Sequence, residues 1–323
     1  MLRQKTDMKK RTIYLFTFLT IVGINYNLIS QEKNIEITYK RNDDKSVDIN
    51  YKKKLPGSYY LKLDFTLLEN SYQSTFKGVI KNNSGNITRL RPINKNEHIN
   101  FSYKYTTIIG NPNSKADSLF KYVLPFKKGK KVTIDEATNL GEKYFGSERP
   151  VNWKSYVVYM DSPDTICNMR KGIVVKITDK YESDTLFEKS YTSKRNAVII
   201  EHSDGTYASY TGFKKNSIFV KLGQTVYPQN NLGMIDIFNT GKYRLSFAIY
   251  HLIDSDLKNP QKQNLKNQKN RYAFLTPYFI TENGTEKIKA RKEYTTFSNE
   301  KIRFKEFTKR ELKKYKKNPQ LFD

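Results

Sequence analysis

Period-two alternation of apolar and polar residues most limits what this chain can fold into. Ile35, Ile37 and Tyr39 alternate with polar neighbours, and so do Val47, Ile49 and Tyr51. Leu61, Leu63, Phe65 and Leu67 continue the pattern, and Ile99, Phe101, Tyr103 and Tyr105 repeat it. At that spacing an extended strand carries one buried face and one wet face, as antiparallel sheets do. Pro56-Gly57, Asn82-Asn83-Ser84-Gly85 and Gly110-Asn111-Pro112-Asn113 punctuate the runs as turns. The pattern predicts a mainly β protein in which residues 31–135 form an immunoglobulin-like antiparallel β-sandwich. That sandwich has no disulfide, because Cys167 is the one cysteine in the chain. A lone cysteine also excludes a multi-cysteine metal cluster.

Residues 136–153 contain Gly and Pro and read as a linker. Strands resume at Ile173 to Ile177, Ala197 to Glu201, Ser217 to Leu222 and Leu245 to Leu252, within a second domain spanning 154–290. Residues 255–271 are rich in Asn, Gln and Lys and read as a solvated loop. Residues 291–323 form a basic extension, in part helical. Phe304, Phe307, Leu312 and Tyr315 fall at helical spacing, and Thr308 with Glu311 reads as a capping box.

Residues 1–30 have the layout of a signal peptide. Met8-Lys9-Lys10-Arg11 precedes an apolar run from Ile13 to Ile24, and Ser30 supplies a small residue before Gln31. An exported chain is expected, periplasmic or at the cell surface. Its 58 Lys and Arg against 32 Asp and Glu leave a formal charge of +26. The abundance of Lys, Asn, Ile, Tyr and Phe matches an AT-rich coding bias, so the charge alone names no partner. A basic surface still attracts polyanions in a salt-dependent way, and the terminal lysines suit peripheral contact with anionic membrane. Export and the absence of a nucleic-acid-reading motif exclude nucleic acid as the expected partner.

The second domain carries an ordered set of short motifs. Gly172-Ile173-Val174-Val175 comes first, then the segment from Val198 through Glu201-His202-Ser203-Asp204-Gly205 to Tyr210. Val220-Lys221-Leu222-Gly223-Gln224-Thr225-Val226, Leu232-Gly233, Thr240-Gly241 and Leu245-Ser246-Phe247 follow. The set resembles the catalytic domain of the lysostaphin-type (LytM-like) zinc endopeptidases, which cut peptidoglycan cross-bridges. The resemblance implies a β-sheet domain with a peptide-binding cleft. It also implies zinc held by a His-x-x-x-Asp pair and the second histidine of a His-x-His strand, with two more histidines assisting catalysis.

Those positions hold other residues here. Aligned on Gly172, the His-x-x-x-Asp pair falls on Lys154 and Val158; aligned on Tyr210, the next histidine falls on Thr211. The His-x-His pair falls on Arg244 and Ser246. The family needs four histidines, and the chain has His98, His202 and His251. His202 reads as structural and His251 as a surface residue. Asp161, Asp164 and Asp204 cannot assemble that zinc site with so few imidazoles. Zinc peptidase activity is therefore expected to be lost, with no catalytic residue and no metal or other cofactor. His202-Ser203-Asp204 are adjacent and cannot form a proton relay. A Cys167–His202 dyad is conceivable, but a lone cysteine more often packs in a core.

What the resemblance then implies is an exported envelope protein with an inactive peptidase-like domain. Lys154, Val158, Thr211, Arg244 and Ser246 would line a cationic binding groove. Its partner would be peptidoglycan, through stem-peptide carboxylates, or an envelope protein such as a cell-wall hydrolase that it regulates. The alternatives are an active peptidase with an atypical site and a salt-sensitive polyanion binder.

Overall fold

Two sets of buried side chains organise the chain, one between the sheets of an N-terminal sandwich and one beneath a larger sheet. The structure is a computed structural model that describes residues 34–72, 75–137, 154–183, 194–238, 241–253 and 271–322. The expected signal peptide, residues 138–153 of the expected linker and residues 255–270 of the expected loop lie outside the described residues. Among the described residues no helix is long and apolar enough to cross a membrane.

The sandwich contains β1 (Ile35–Arg41), β2 (Val47–Lys53), β3 (Tyr59–Glu69), β4 (Thr75–Ile80), β5 (Ser84–Leu90) and β6 (Asn100–Ile109). They form two antiparallel sheets, ordered β1-β2-β5 and β4-β3-β6. The alternating residues meet as expected: Val47, Ile49, Leu61 and Leu63 are fully buried between the sheets. The hydroxyls of Tyr103 and Tyr105 on β6 donate to the backbone carbonyls of Ile37 and Ile35 across the sandwich.

The next strands are β7 (Lys121–Val123), β8 (Lys131–Glu136), β9 (Tyr156–Met160), β10 (Thr165–Cys167), β11 (Gly172–Thr178) and β12 (Asn196–Glu201). They continue as β13 (Thr206–Ile218), β14 (Thr225–Val226), β15 (Asn231–Ile235) and β16 (Tyr243–Leu252). The last four are β17 (Tyr272–Phe274), β18 (Tyr278–Thr281), β19 (Gly284–Lys287) and β20 (Lys292–Thr295). The main sheet runs β14-β11-β12-β13-β16-β9-β8-β20, with β10, β15 and β17 attached to it. The fold is mainly β.

Strand β7 and all but the last residue of β8 fall inside the range 31–135 assigned to the sandwich, yet neither strand pairs with it. β8 pairs with β9 and β20, and β7 runs parallel to β18. The cause is composition: Phe120, Tyr122, Leu124 and Phe126 are all buried in the core of the larger sheet. By the same pairing β20 belongs to that sheet rather than to a detached extension. The expected strand from Ser217 to Leu222 is also displaced, because β13 carries the ladder from Thr206 and ends at Ile218.

At the C-terminus, α1 (Glu300–Arg303) and α2 (Lys309–Lys317) follow. The Thr308–Glu311 capping box is present and starts α2. Phe304 and Phe307 therefore precede the helix instead of lying on its face. Their rings pack with Tyr315, Phe322 and Tyr227.

The sandwich is joined to the larger sheet through the turn after β2. The buried Lys53 ammonium donates to the carbonyls of Leu55 and Gly57, both at 2.7 Å, and so closes the turn. The Ser58 backbone N–H then donates to Glu201 Oε2 on β12 at 2.7 Å. Gly57 sits at φ +87°, where side chains are strained, and an added Cβ would lie 2.5 Å from Val175 Cγ1 and 2.7 Å from Glu201 Oε2. Both terms act against any side chain there. Gly57→Ala is expected to lower unfolding free energy by about 2–4 kcal/mol, read from urea denaturation; a change within 0.5 kcal/mol, the ordinary surface value of about that size, would contradict this joint.

Candidate functional site

Cross-strand partners in an antiparallel ladder share a face, so the register shows which expected site residues meet. Thr211 on β13 pairs with Ser246 on β16. Ser246 pairs with Val157 on β9, and Arg244 with Tyr159. Thr211, Arg244 and Ser246 thus occupy one face, with Val157 and Tyr159 beside them. Lys154 and Val158 do not. Val158 pairs with Leu245, and both are fully buried in the core on the opposite face. The Lys154 ammonium sits 3.2 Å from Glu136 Oε2 and 5.7 Å from the centroid of the core-facing Tyr156 ring. A one-residue slip reverses a strand's faces, and spacing counted back from Gly172 placed β9 one residue out of phase.

The residue that sequence reasoning missed is Arg195, one position before β12. Its Nη2 donates to the Arg244 carbonyl and its Nη1 to Ser246 Oγ at 3.4 Å. The Phe238 ring lies against both guanidiniums, 4.9 Å from Arg195 Cζ and 4.6 Å from Arg244 Cζ. Gly212 makes the approach feasible, since a Cβ there would lie 2.3 Å from Arg195 Nη2. Burial, and after it the neighbouring Arg244, push the Arg195 pKa well below the ordinary guanidinium range. Position 195 has no counterpart in the motif order that drew attention to the domain, so only the fold reveals it.

This face does not suit zinc. Thr, Ser, Val and a half-exposed Tyr offer no imidazole, thiolate or carboxylate donor set, and the two guanidiniums on this face repel a dication. Among the described residues, no group of three or more His, Cys, Asp or Glu is placed to hold a metal ion. Chemically, the face can accept an anion and donate hydrogen bonds to it.

A second polar cluster lies at the turn from β12 to β13. Arg170, 3% exposed, donates through Nη1 to Asp204 Oδ2 at 2.9 Å and through Nη2 to Glu306 Oε1 at 2.8 Å. The Phe120 ring centroid is 3.6 Å from its Cζ. Burial opposes the charge, but the Glu306 hydrogen bonds, with Tyr122 and Asp204 nearby, hold the proton more firmly than usual. Asp204 is lowered in turn, against burial, by Arg170 and by hydrogen bonds from Thr206.

His202 is 2% exposed, with Nδ1 2.8 Å from Thr206 Oγ1. That hydroxyl donates to Asp204 Oδ1 at 2.7 Å, so its proton is committed and Nδ1 must carry the hydrogen. His202 is therefore the neutral Nδ1–H tautomer, with a lone pair on Nε2. Burial, and next Arg170, hold its pKa well below the usual histidine value. His251 is half-buried and pairs across the ladder with Thr206. Cys167 is fully buried against Thr165 and Asn231. Burial pushes its thiol up to about 11, the opposite of an activated nucleophile.

A scan against protein-family models returns no match, and no curated protein matches either. Seven chains of solved structures match, two of which are described here. One is a Pseudomonas aeruginosa protein described as an M23 peptidase, 12% identical, at TM-score 0.25, covering 59% of this chain and 82% of its own. The other is Helicobacter pylori Csd3, 11% identical, at TM-score 0.27, covering 90% of this chain and 78% of its own. Superpositions at that level carry no argument, and the site stands on its own residues.

The neutral His202 has a consequence for pH. Below about pH 6.5 the unfolded chain binds a proton on this imidazole while the folded chain does not. Its contribution to stability is thus full above that pH and falls as the pH drops toward the folded value. The expected loss is about 1.4 kcal/mol per pH unit over that window. Urea denaturation between pH 7 and pH 4.5 should show His202→Gln shedding roughly that slope relative to the parent; parallel curves would contradict the assignment.

Proposed function

We propose that this is an exported bacterial envelope protein whose second domain binds through a peptidase-like cleft and does not cut. The observation that carries this reading is the paired guanidiniums of Arg195 and Arg244, stacked on Phe238, on the face where the resemblance implies a metal. Planar guanidiniums pair bidentately with carboxylates, and Thr211 and Ser246 add hydroxyl donors beside them. Stem peptides of the cell wall present such carboxylates. The ordered motifs from Gly172 to Phe247 support the link to that polymer. A half-exposed Tyr159 at the edge of the face provides an apolar platform next to the charge.

A general polyanion binder would need only the overall charge of +26. The groove reading differs by demanding these two arginines. A hydrolase partner docking on the same face remains the second reading, favoured by the same residues.

Co-sedimentation with purified sacculi across a salt titration tests the proposal. Binding should survive about 0.5 M salt, where screening lengths are a few Å. Arg195→Gln with Arg244→Gln should weaken it by about tenfold or more, the size of a lost charge-assisted hydrogen bond, while circular dichroism stays unchanged. Binding that melts with salt equally in parent and variant would leave only surface charge. No binding in either would end the cell-wall reading and send the search to envelope proteins.

A further inference from the structure

The outer surface of α2 carries more charge than the fold uses. The helix runs Lys309-Arg310-Glu311-Leu312-Lys313-Lys314-Tyr315-Lys316-Lys317. At about 100° per residue, Glu311, Leu312 and Tyr315 share one side, and the six cations spread over about 160° of the other. The contacts agree with that division. Glu311 is held by Lys171 and Tyr227, and the Tyr315 ring packs on Phe304 and Phe322. Lys309, Arg310, Lys313, Lys314, Lys316 and Lys317 are all exposed. Glu311 is the one acid in the helix and it faces inward, while Glu306, just before the helix, is engaged by Arg170.

This arrangement works against the helix that carries it. Lys309 and Lys313, Arg310 and Lys314, and Lys313 and Lys317 stand four residues apart, where like charges destabilise. Lys309 and Arg310 occupy the first turn, where the macrodipole favours acids. Lys314, Lys316 and Lys317 lie in the last turn and gain from the dipole, so it accounts for part of the set only. The capping box, the Lys171–Glu311 pair and the ring cluster hold the helix in place against its own repulsion. A surface of opposite charge would relieve that repulsion.

An apolar group stands directly after the cations. Leu321 is 72% exposed on the 3-10 turn Pro319–Phe322, although its neighbour Phe322 is buried. A cationic helix followed by a projecting apolar side chain suits a lipid surface, where headgroup phosphates meet the charges and the acyl boundary takes the apolar group. A soluble polyanion would use the charges and leave Leu321 in water.

We propose that α2 is a docking surface for anionic lipid, its six cations lying against headgroup phosphates and Leu321 entering the interface. The helix shares no residue with the face of Thr211, Arg244 and Ser246, and lipid vesicles contain no peptidoglycan. This proposal and the cell-wall reading therefore fail separately.

The test uses the chain from Gln31 onward, the exported form expected from the sequence, which keeps every described strand and helix. Its binding is measured by co-flotation with vesicles of phosphatidylcholine alone and of equal parts phosphatidylcholine and phosphatidylglycerol. Binding is expected to the anionic vesicles and not to the neutral ones. Lys309→Gln/Lys313→Gln/Lys317→Gln should weaken it about a hundredfold, and the urea midpoint of that variant should hold or rise because repulsion is removed. Lys52→Gln/Lys77→Gln/Lys104→Gln takes the same charge from exposed positions of the sandwich and should change binding by no more than about twofold. Leu321→Ser should weaken vesicle binding about tenfold and leave binding to soluble polyglutamate unchanged. Equal losses in the two lysine variants would reduce the effect to net charge and overturn the proposal. Equal binding to neutral vesicles would also overturn it, and so would Leu321→Ser without effect on vesicles, which would assign the face to a soluble polyanion.

Discussion

The buried guanidinium of Arg170 is the constraint on which much of the larger sheet depends. A charge at 3% exposure needs partners, and the chain supplies them from distant places: Asp204 from the β12–β13 turn and Glu306 from the C-terminal segment. Holding those two carboxylates fixes the turn and ties the segment down. Lys171 repeats the arrangement one residue later, through Glu311, whose carboxylate also accepts from Tyr227 Oη at 2.9 Å. Glu311 serves the capping box as well, so helix start and helix docking share one carboxylate. Its pKa is lowered to about 2: burial opposes this, and the Lys171, Thr308 and Tyr227 hydrogen bonds prevail.

The same charge shapes His202. Arg170 disfavours a second cation nearby, and the Asp204–Thr206 chain consumes the hydroxyl proton. The imidazole is left neutral, with its tautomer set. On the other side of the sheet a different solution appears, in which Arg195 and Arg244 share Phe238 and the carbonyl of one receives the guanidinium of the other. Buried positive charge thus meets direct carboxylate hydrogen bonds at one place, and an aromatic face, a backbone oxygen and the nearby Asp236 carboxylate at another.

Alternation made the sandwich legible, because Val47, Ile49, Leu61 and Leu63 repeat at the period that buries one face. The strands β11, β12 and β16 were legible for the same reason. β7 and β8 were not assigned correctly, since a dense apolar run such as Phe120 to Phe126 says that it is buried but not against which sheet. At the site, Thr211, Arg244 and Ser246 fell on one face of the ladder. Lys154 and Val158 did not, because counting across the irregular segment between β9 and β11 cannot fix parity, and parity alone decides the face. Arg195 reaches the site through a long side chain over Gly212, a contact that no local pattern encodes. The joint through Lys53, Ser58 and Glu201 was equally hidden, being an agreement between residues far apart in sequence.

Guanidinium charge on the face of Thr211 and Ser246 leaves zinc no donor set there. Equilibrium dialysis of the untagged chain against buffered zinc, followed by metal analysis, tests it most directly. The account predicts no retained zinc beyond that held by a protein of similar histidine content, in the parent and in Arg195→Gln/Arg244→Gln alike. Stoichiometric, tightly held zinc that protects the fold against urea would contradict it.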